Sequence, residues 1–217
     1  AGTRRPRGCC DRADGSSSCT RRRSPSSTFP RSATRRAAAL KAYHEWMPTR
    51  LPQAGRSERI FRSFDFGDLL SLHMLDTRVI GRDQQLELTS YVSASGFDAA
   101  RFAQDLANPA RQLLGLEQTA WLSTQLARSN ARWQVLGQQV LMGRMNVPAP
   151  ILLQQISIGG YAALVAKAQT APGTLTPAEQ AILAAPAIPY NLDAWDGYAA
   201  ARETVLATAR ALDKNLV

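Results

Sequence analysis

Beyond residue 19 this chain contains no cysteine, and its 217 residues include only two histidines. The three cysteines, Cys9, Cys10 and Cys19, all lie near the N-terminus with no histidine at zinc-finger spacing. That argues against a thiolate metal centre. It also leaves the rest of the chain without a disulfide framework. Long apolar runs are absent too: none approaches the roughly 20 residues a membrane-crossing helix needs. The N-terminus is basic, but no apolar stretch follows it, so it lacks the pattern of a signal peptide. The same lack argues against reading Arg4-Arg5 as a twin-arginine export signal. No glycine-rich loop follows a strand, since Gly159-Gly160 lies elsewhere, and no Gly-x-Ser-x-Gly elbow occurs. No carboxylate pair has glycosidase spacing, and no internal repeat is evident.

What is present is an ordinary globular composition, 45% hydrophobic and 20% charged, with a formal charge of +9. The charge is unevenly placed. Residues 1–36 hold ten of the 26 basic side chains and two of the 17 acids, a net of +8, while residues 37–217 are nearly neutral. A nucleic-acid-binding domain carries its basic patch on folded elements, whereas this one carries it on a tail. Residues 1–36 are rich in Arg, Ser, Pro and Gly, with Phe29 their one large apolar side chain. Such a segment cannot bury enough surface to offset its ordering entropy and is expected to be disordered. It is either a polyanion-binding arm or, given the abrupt change of text at Ala37, non-native sequence from a reading-frame error. Nucleic-acid binding is expected of no other part of the chain.

From Ala37 onward the pattern is regular. Leu40, Tyr43, His44 and Met47 recur at helical spacing, and Pro48 ends that helix. Residues 60–66 and 69–76 read as two strands joined by a turn at Gly67-Asp68. Residues 80–96 read as a loop, and 97–106 and 116–126 as helices. Residues 133–142 read as a buried strand. Residues 143–194 look like an insertion containing a capped helix, Thr176-Pro-Ala-Glu179. The last helix is expected to start at Asp193, with Asp193 as its cap and Asp196 near its positive end. Trp195, Tyr198, Arg202, Val205, Ala209 and Leu212 then form one buried face. The order of elements suggests a mixed α/β layered domain.

The residues that could carry chemistry are few. His73 lies in an apolar strand, where a lone histidine is more often a satisfied core residue than a ligand. His44 reads as a helix-surface histidine. Asp76 and Arg78 follow a strand, where α/β sites assemble, and their spacing puts them on one side. They could pair with each other to order the loop, or Arg78 could hold an anion. Arg202 reads as the partner of an acid beneath the last helix. Asp76, Arg78, His73 and Arg202 are therefore the candidate catalytic residues, each with a structural alternative.

Several stretches are distinctive as text. Ala42-Tyr-His-Glu-Trp-Met-Pro48 with Arg50, Ile60-Phe-Arg-Ser-Phe-Asp-Phe-Gly-Asp68, and Leu75-Asp-Thr-Arg78 with Arg82-Asp-Gln84 come first. Gly115-Leu-Glu-Gln-Thr-Ala-Trp-Leu122, Trp133-Gln-Val-Leu-Gly-Gln-Gln139, and Trp195-Asp-Gly-Tyr198 with Arg202 follow. In that order they resemble the alkaline phosphatase D (PhoD-like) enzymes over residues 37–217, whereas residues 1–36 match nothing in that family.

The resemblance implies an α/β calcineurin-like metallophosphoesterase fold, two sheets flanked by helices, here incomplete at both ends. It implies hydrolysis of phosphate mono- or diesters in the periplasm or outside the cell, with iron and calcium as cofactors. Metals suit that chemistry because they activate water and neutralise charge on the phosphoryl oxygens. The family places an Asp-Asp-His-Glu stretch before the first helix and Gly-Asp-x-His after the last. Neither occurs here, nor do the family's earlier Asp and Cys ligands. No metal ligand of the family can be carried onto this chain. The expectation is therefore a phosphatase fragment that binds no metal and turns over little alone.

Overall fold

A computed structural model of the chain describes residues 28–217. The described chain falls into two units divided between Met47 and Pro48. The first contains helix α1, Thr28–Trp46, which ends with the Met47 amide donating to the Tyr43 carbonyl at 2.8 Å. The helix thus begins well before Ala37, where the apolar periodicity starts. Residues 33–39 are rich in Ala and Arg, good helix formers, so propensity extends the helix beyond its periodic part. Pro30 falls in the first turn, where proline is tolerated. The remainder of the segment expected to be disordered, residues 1–27, lies outside the described residues.

The second unit, Pro48–Val217, is built on a hairpin. Strands β1 (Arg62–Phe66) and β2 (Leu70–Met74) pair antiparallel around Gly67, whose φ of +59° suits a residue without a Cβ. A small ribbon of β3 (Val92–Ser93) and β4 (Gly96–Phe97) lies within the expected loop. Helix α2 (Ala99–Leu106) follows, its first turn capped by the Asp98 carboxylate accepting from the Arg101 amide. Helix α3 (Gly115–Arg128) leads to β5 (Trp133–Gly137), which lies parallel to β2. Gly81 and the turn into α3 approach so closely that a Cβ on Gly81 would sit 2.1 Å from the Leu114 carbonyl oxygen.

The insertion is closed at its base by a second ribbon of β6 (Asn146–Pro148) and β7 (Ala187–Pro189). Between them run α4 (Ala149–Leu152), α5 (Ile158–Thr170) and α6 (Pro177–Ala184). Helix α6 opens with the expected capping box of Thr176 and Glu179. A short 3-10 segment, Trp195–Tyr198, then leads into α7 (Ala199–Ala211) and β8 (Asn215–Leu216), which runs parallel to β5.

The main sheet thus has four strands in the order β1-β2-β5-β8. Alongside it, the described residues form only the two small ribbons, so the mixed α/β class is present but a second large sheet is not. The main core joins Leu75, Leu113, Leu122, Leu126, Trp195, Tyr198, Val205 and Ala209. A second cluster of Tyr91, Phe102, Ala149, Ile188 and Leu192 ties the insertion's base to α2.

The sheet's polarity is inverted. One face carries Ser71, His73 and Gln134, all buried, with Trp121 of α3 lying edge-on to His73 at 6.3 Å. The other face carries Phe64, Phe66, Leu70, Leu72, Met74, Trp133 and Val135 in cross-strand register. That apolar face is open: Phe66 is 55% and Trp133 43% exposed. Residues 133–142, expected to form a buried strand, give a shorter strand, Trp133–Gly137, covered on one side only.

Candidate functional site

The parallel strands β2 and β5 end at Met74 and Gly137, and the segments just beyond them carry most of the candidate residues. Open α/β sheets bind ligands at such strand ends. Two glutamine side chains fix the backbone there. Gln118 of α3 is fully buried; its Oε1 accepts from the Asp76 amide at 2.7 Å and its Nε2 donates to the Asp76 carbonyl at 2.7 Å. Gln139 accepts from the Thr77 hydroxyl at 2.7 Å and donates to the Leu75 carbonyl at 3.1 Å.

Asp76 is buried and does not pair with Arg78. Its carboxylate instead accepts from three successive backbone amides, those of Arg78 (2.8 Å), Val79 (2.9 Å) and Ile80 (3.2 Å). Those three donors lie within the carboxylate's short reach, so it folds onto its own loop rather than toward the guanidinium. Arg78 turns away to Asp193, at 2.7 Å from Oδ2 and 2.9 Å from Oδ1. Arg82 meets the same carboxylate in a very short contact. Asp193 is thereby drawn away from the capping role expected of it: the residue preceding the 3-10 segment is Ala194, and no side chain caps it.

Tyr198 lies beneath this cluster, fully buried, with its hydroxyl donating to the Asp83 carbonyl at 2.6 Å. The guanidinium groups of Arg82 and Arg111 lie 5.0 and 4.9 Å from its ring centre. Burial pushes the Tyr198 hydroxyl above its usual pKa range, with Arg82 and Arg111 opposing the shift. Arg202 is buried and pairs closely with Asp196, which also accepts the Met145 amide at 2.8 Å. The pair joins α7 to the start of the insertion, so the acid expected beneath the last helix is Asp196.

His73 is a satisfied core residue. Its Nδ1 lies 2.7 Å from the Ser63 hydroxyl and its Nε2 3.0 Å from Gln134 Oε1. Gln134 turns its Nε2 to the Ala131 carbonyl at 3.0 Å, so its oxygen must face His73. That orientation puts a proton on His73 Nε2 and lets Nδ1 accept from Ser63. His44 belongs to α1, where its ring meets Tyr43 edge-on at 5.2 Å.

The structure therefore brings Asp76 and Arg78 together with Arg82, Asp193 and Arg111, and holds His73 and Arg202 apart from them. Sequence reasoning missed Asp193, Arg82, Arg111 and Gln118 as members of this region. Arg82 and Gln118 stand in distinctive blocks of text, but neither Asp193 nor Arg111 has a local signal. One cleft of about 390 Å³, lined by Asp65, Asp68, Ser71, Ser129 and Asn130, lies at the opposite end of the strands, around the β1–β2 turn. It holds none of the candidates.

Residues 14–217 match the PhoD-like phosphatase family. The chain belongs to that family. Alkaline phosphatase D of Bacillus subtilis (strain 168) is 33% identical over 174 residues, a match taking in 79% of this chain and 22% of that protein. A solved structure of PhoD is 30% identical, with a TM-score of 0.53, over 84% of this chain and 27% of the other. This PhoD-like chain thus spans less than a third of either relative. The family match begins at residue 14, which corrects the expectation that nothing in residues 1–36 resembles the family.

The donors among the described residues of this PhoD-like chain do not fit the iron and calcium that the resemblance implies. Among the described residues no group of three or more His, Cys, Asp or Glu side chains converges on a common point. The Asp76 carboxylate is committed to backbone amides, Asp193 and Asp196 to arginines, and His73 to Ser63 and Gln134. A metal site needs several converging ligands. Among the described residues no helix is long and apolar enough to cross a membrane.

Proposed function

We propose that this chain is a scaffold-bearing portion of an alkaline phosphatase D-type metal-dependent hydrolase of phosphate mono- and diesters, acting in the periplasm or outside the cell. Family membership over residues 14–217 is the observation that carries this reading. The metal ligands of the complete enzyme come from outside these residues, and this chain alone turns over little. Its own side chains order the strand ends: Gln118 and Gln139 hold the backbone after β2, and Asp76 folds the loop that presents Arg78 and Arg82.

The open apolar face of the four-stranded sheet supports the finer fold reading. A row of Phe64, Phe66, Met74 and Trp133 left in water is costly, and a second sheet packed on it gives the two-layer calcineurin-like arrangement. The test is hydrolysis of a chromogenic phosphate ester with iron and calcium supplied. The 217-residue chain should be nearly inactive, and the same chain joined to the additional sequence of the B. subtilis relative should be active. Full activity in the 217-residue chain would overturn the proposal.

A further inference from the structure

Arg78 and Arg82 converge from one loop onto a single carboxylate, that of Asp193, which is 115 residues away from Arg78 in sequence. The two guanidinium groups share this one carboxylate, and the other nearby acids, Asp76 and Asp83, are turned to backbone amides. A third guanidinium, that of Arg111, reaches the same Tyr198 ring, while the nearby Asp83 carboxylate is occupied with the Gln112 amide at 2.7 Å. Arg78 is 46% exposed and the Asp193 side chain 36%, so water reaches the pair, whereas Arg82 is held at 12%. The Arg82 guanidinium lies over the Tyr198 ring, with its Nη1 3.5 Å from the Thr77 carbonyl and its Nη2 turned to Asp193.

We propose that Arg78 and Arg82 form a binding fork for a phosphate group and that Asp193 occupies it as an internal stand-in anion. Planar guanidinium forks suit phosphate oxygens in the same way as they suit carboxylate oxygens. A phosphate dianion brings twice the charge of Asp193 to the same two cations. Half-exposed ion pairs of this kind are weak enough to exchange. The fork lies just beyond the end of β2, where α/β sheets take ligands. Asp193 sits in the link between β7 and the 3-10 segment, where Leu192 and Ala194 on either side are buried, so its side chain can turn to water while the backbone stays in place. This site is independent of the metal chemistry, since no metal ligand is involved.

The test is calorimetric titration of the 217-residue chain, with EDTA present, against inorganic phosphate and, in a parallel arm, phenyl phosphate. Asp193→Ala and Asp193→Asn should bind at least about tenfold more tightly than the parent chain, because an occluded site lowers apparent affinity by the fraction that is open. Adding Arg78→Ala and Arg82→Ala to either variant should abolish the gain. Tight binding of both ligands assigns the fork to the phosphate group alone, and binding of phenyl phosphate only assigns it to a phosphate ester. Equal affinity in parent and variants, or no binding in either arm, overturns the proposal. Loss of folding in both Asp193 variants also overturns it, because Asp193 would then be a structural clamp. No turnover is measured, so a negative result here leaves the hydrolase reading standing.

Discussion

Replacing Gln118 with Leu removes three hydrogen bonds, two of them the clamp on the strand end, without opening a cavity, and so shows what that clamp contributes. In the parent, the side-chain amide satisfies both the N–H and the C=O of Asp76, each at 2.7 Å, in a fully buried position. Its third contact, to the Leu114 carbonyl at 3.2 Å, is expendable because that carbonyl also faces the first turn of α3. Leucine has nearly the same volume, so the cost is two orphaned backbone groups, about 1–3 kcal/mol each. Better apolar transfer of the leucine offsets about 1–2 kcal/mol of this. The net is centred on about 2.5 kcal/mol, or a fall in Tm of roughly 5–10 °C for a domain of this size. Scanning calorimetry and urea unfolding measure it directly. Gln118→Glu adds a second reading. The introduced carboxyl keeps an acceptor for the Asp76 amide but, once ionised, cannot donate to the Asp76 carbonyl. Burial raises its folded pKa, so the variant matches the parent best below the unfolded carboxyl value near 4.3 and loses ground as pH rises. A Gln118→Leu variant within about 0.5 kcal/mol of the parent would refute the reasoning.

Glu179 is held down to about 2 by Lys167 first and then by the Thr176 amide. Its contribution to α6 is therefore full above the ordinary carboxyl range and is lost as pH falls through about 2; carboxyl NMR titration follows this, and Glu179→Gln should flatten it. Phe66→Thr on the open sheet face should change unfolding free energy by no more than about 0.5 kcal/mol, since the ring is already exposed, while reducing self-association in sedimentation velocity.

Local features of this fold were legible in the sequence. The Gly67-Asp68 turn, the Thr176–Glu179 capping box and the α7 stripe of Arg202, Val205 and Ala209 each depend on residues only a few positions apart, although the expected helix starts at Ala199, after a 3-10 segment that holds Trp195 and Tyr198. The features set by distant partners were not legible. Asp193 looked like a helix cap because caps are local, but two arginines more than a hundred residues away claim its carboxylate. Asp76 and Arg78 looked like an ion pair from their spacing, yet three backbone amides outcompete the guanidinium. The helix start at Thr28 lay hidden because the Arg- and Ala-rich stretch has propensity without periodicity. The buried polar face of the main sheet was also invisible, since alternation shows two faces but not which one is covered.

The most direct test of the central claim is the metal content of the 217-residue chain after incubation with iron and calcium and gel filtration, read by plasma mass spectrometry. The account predicts that neither ion stays bound in stoichiometric amount. One iron and one calcium retained per chain would contradict it.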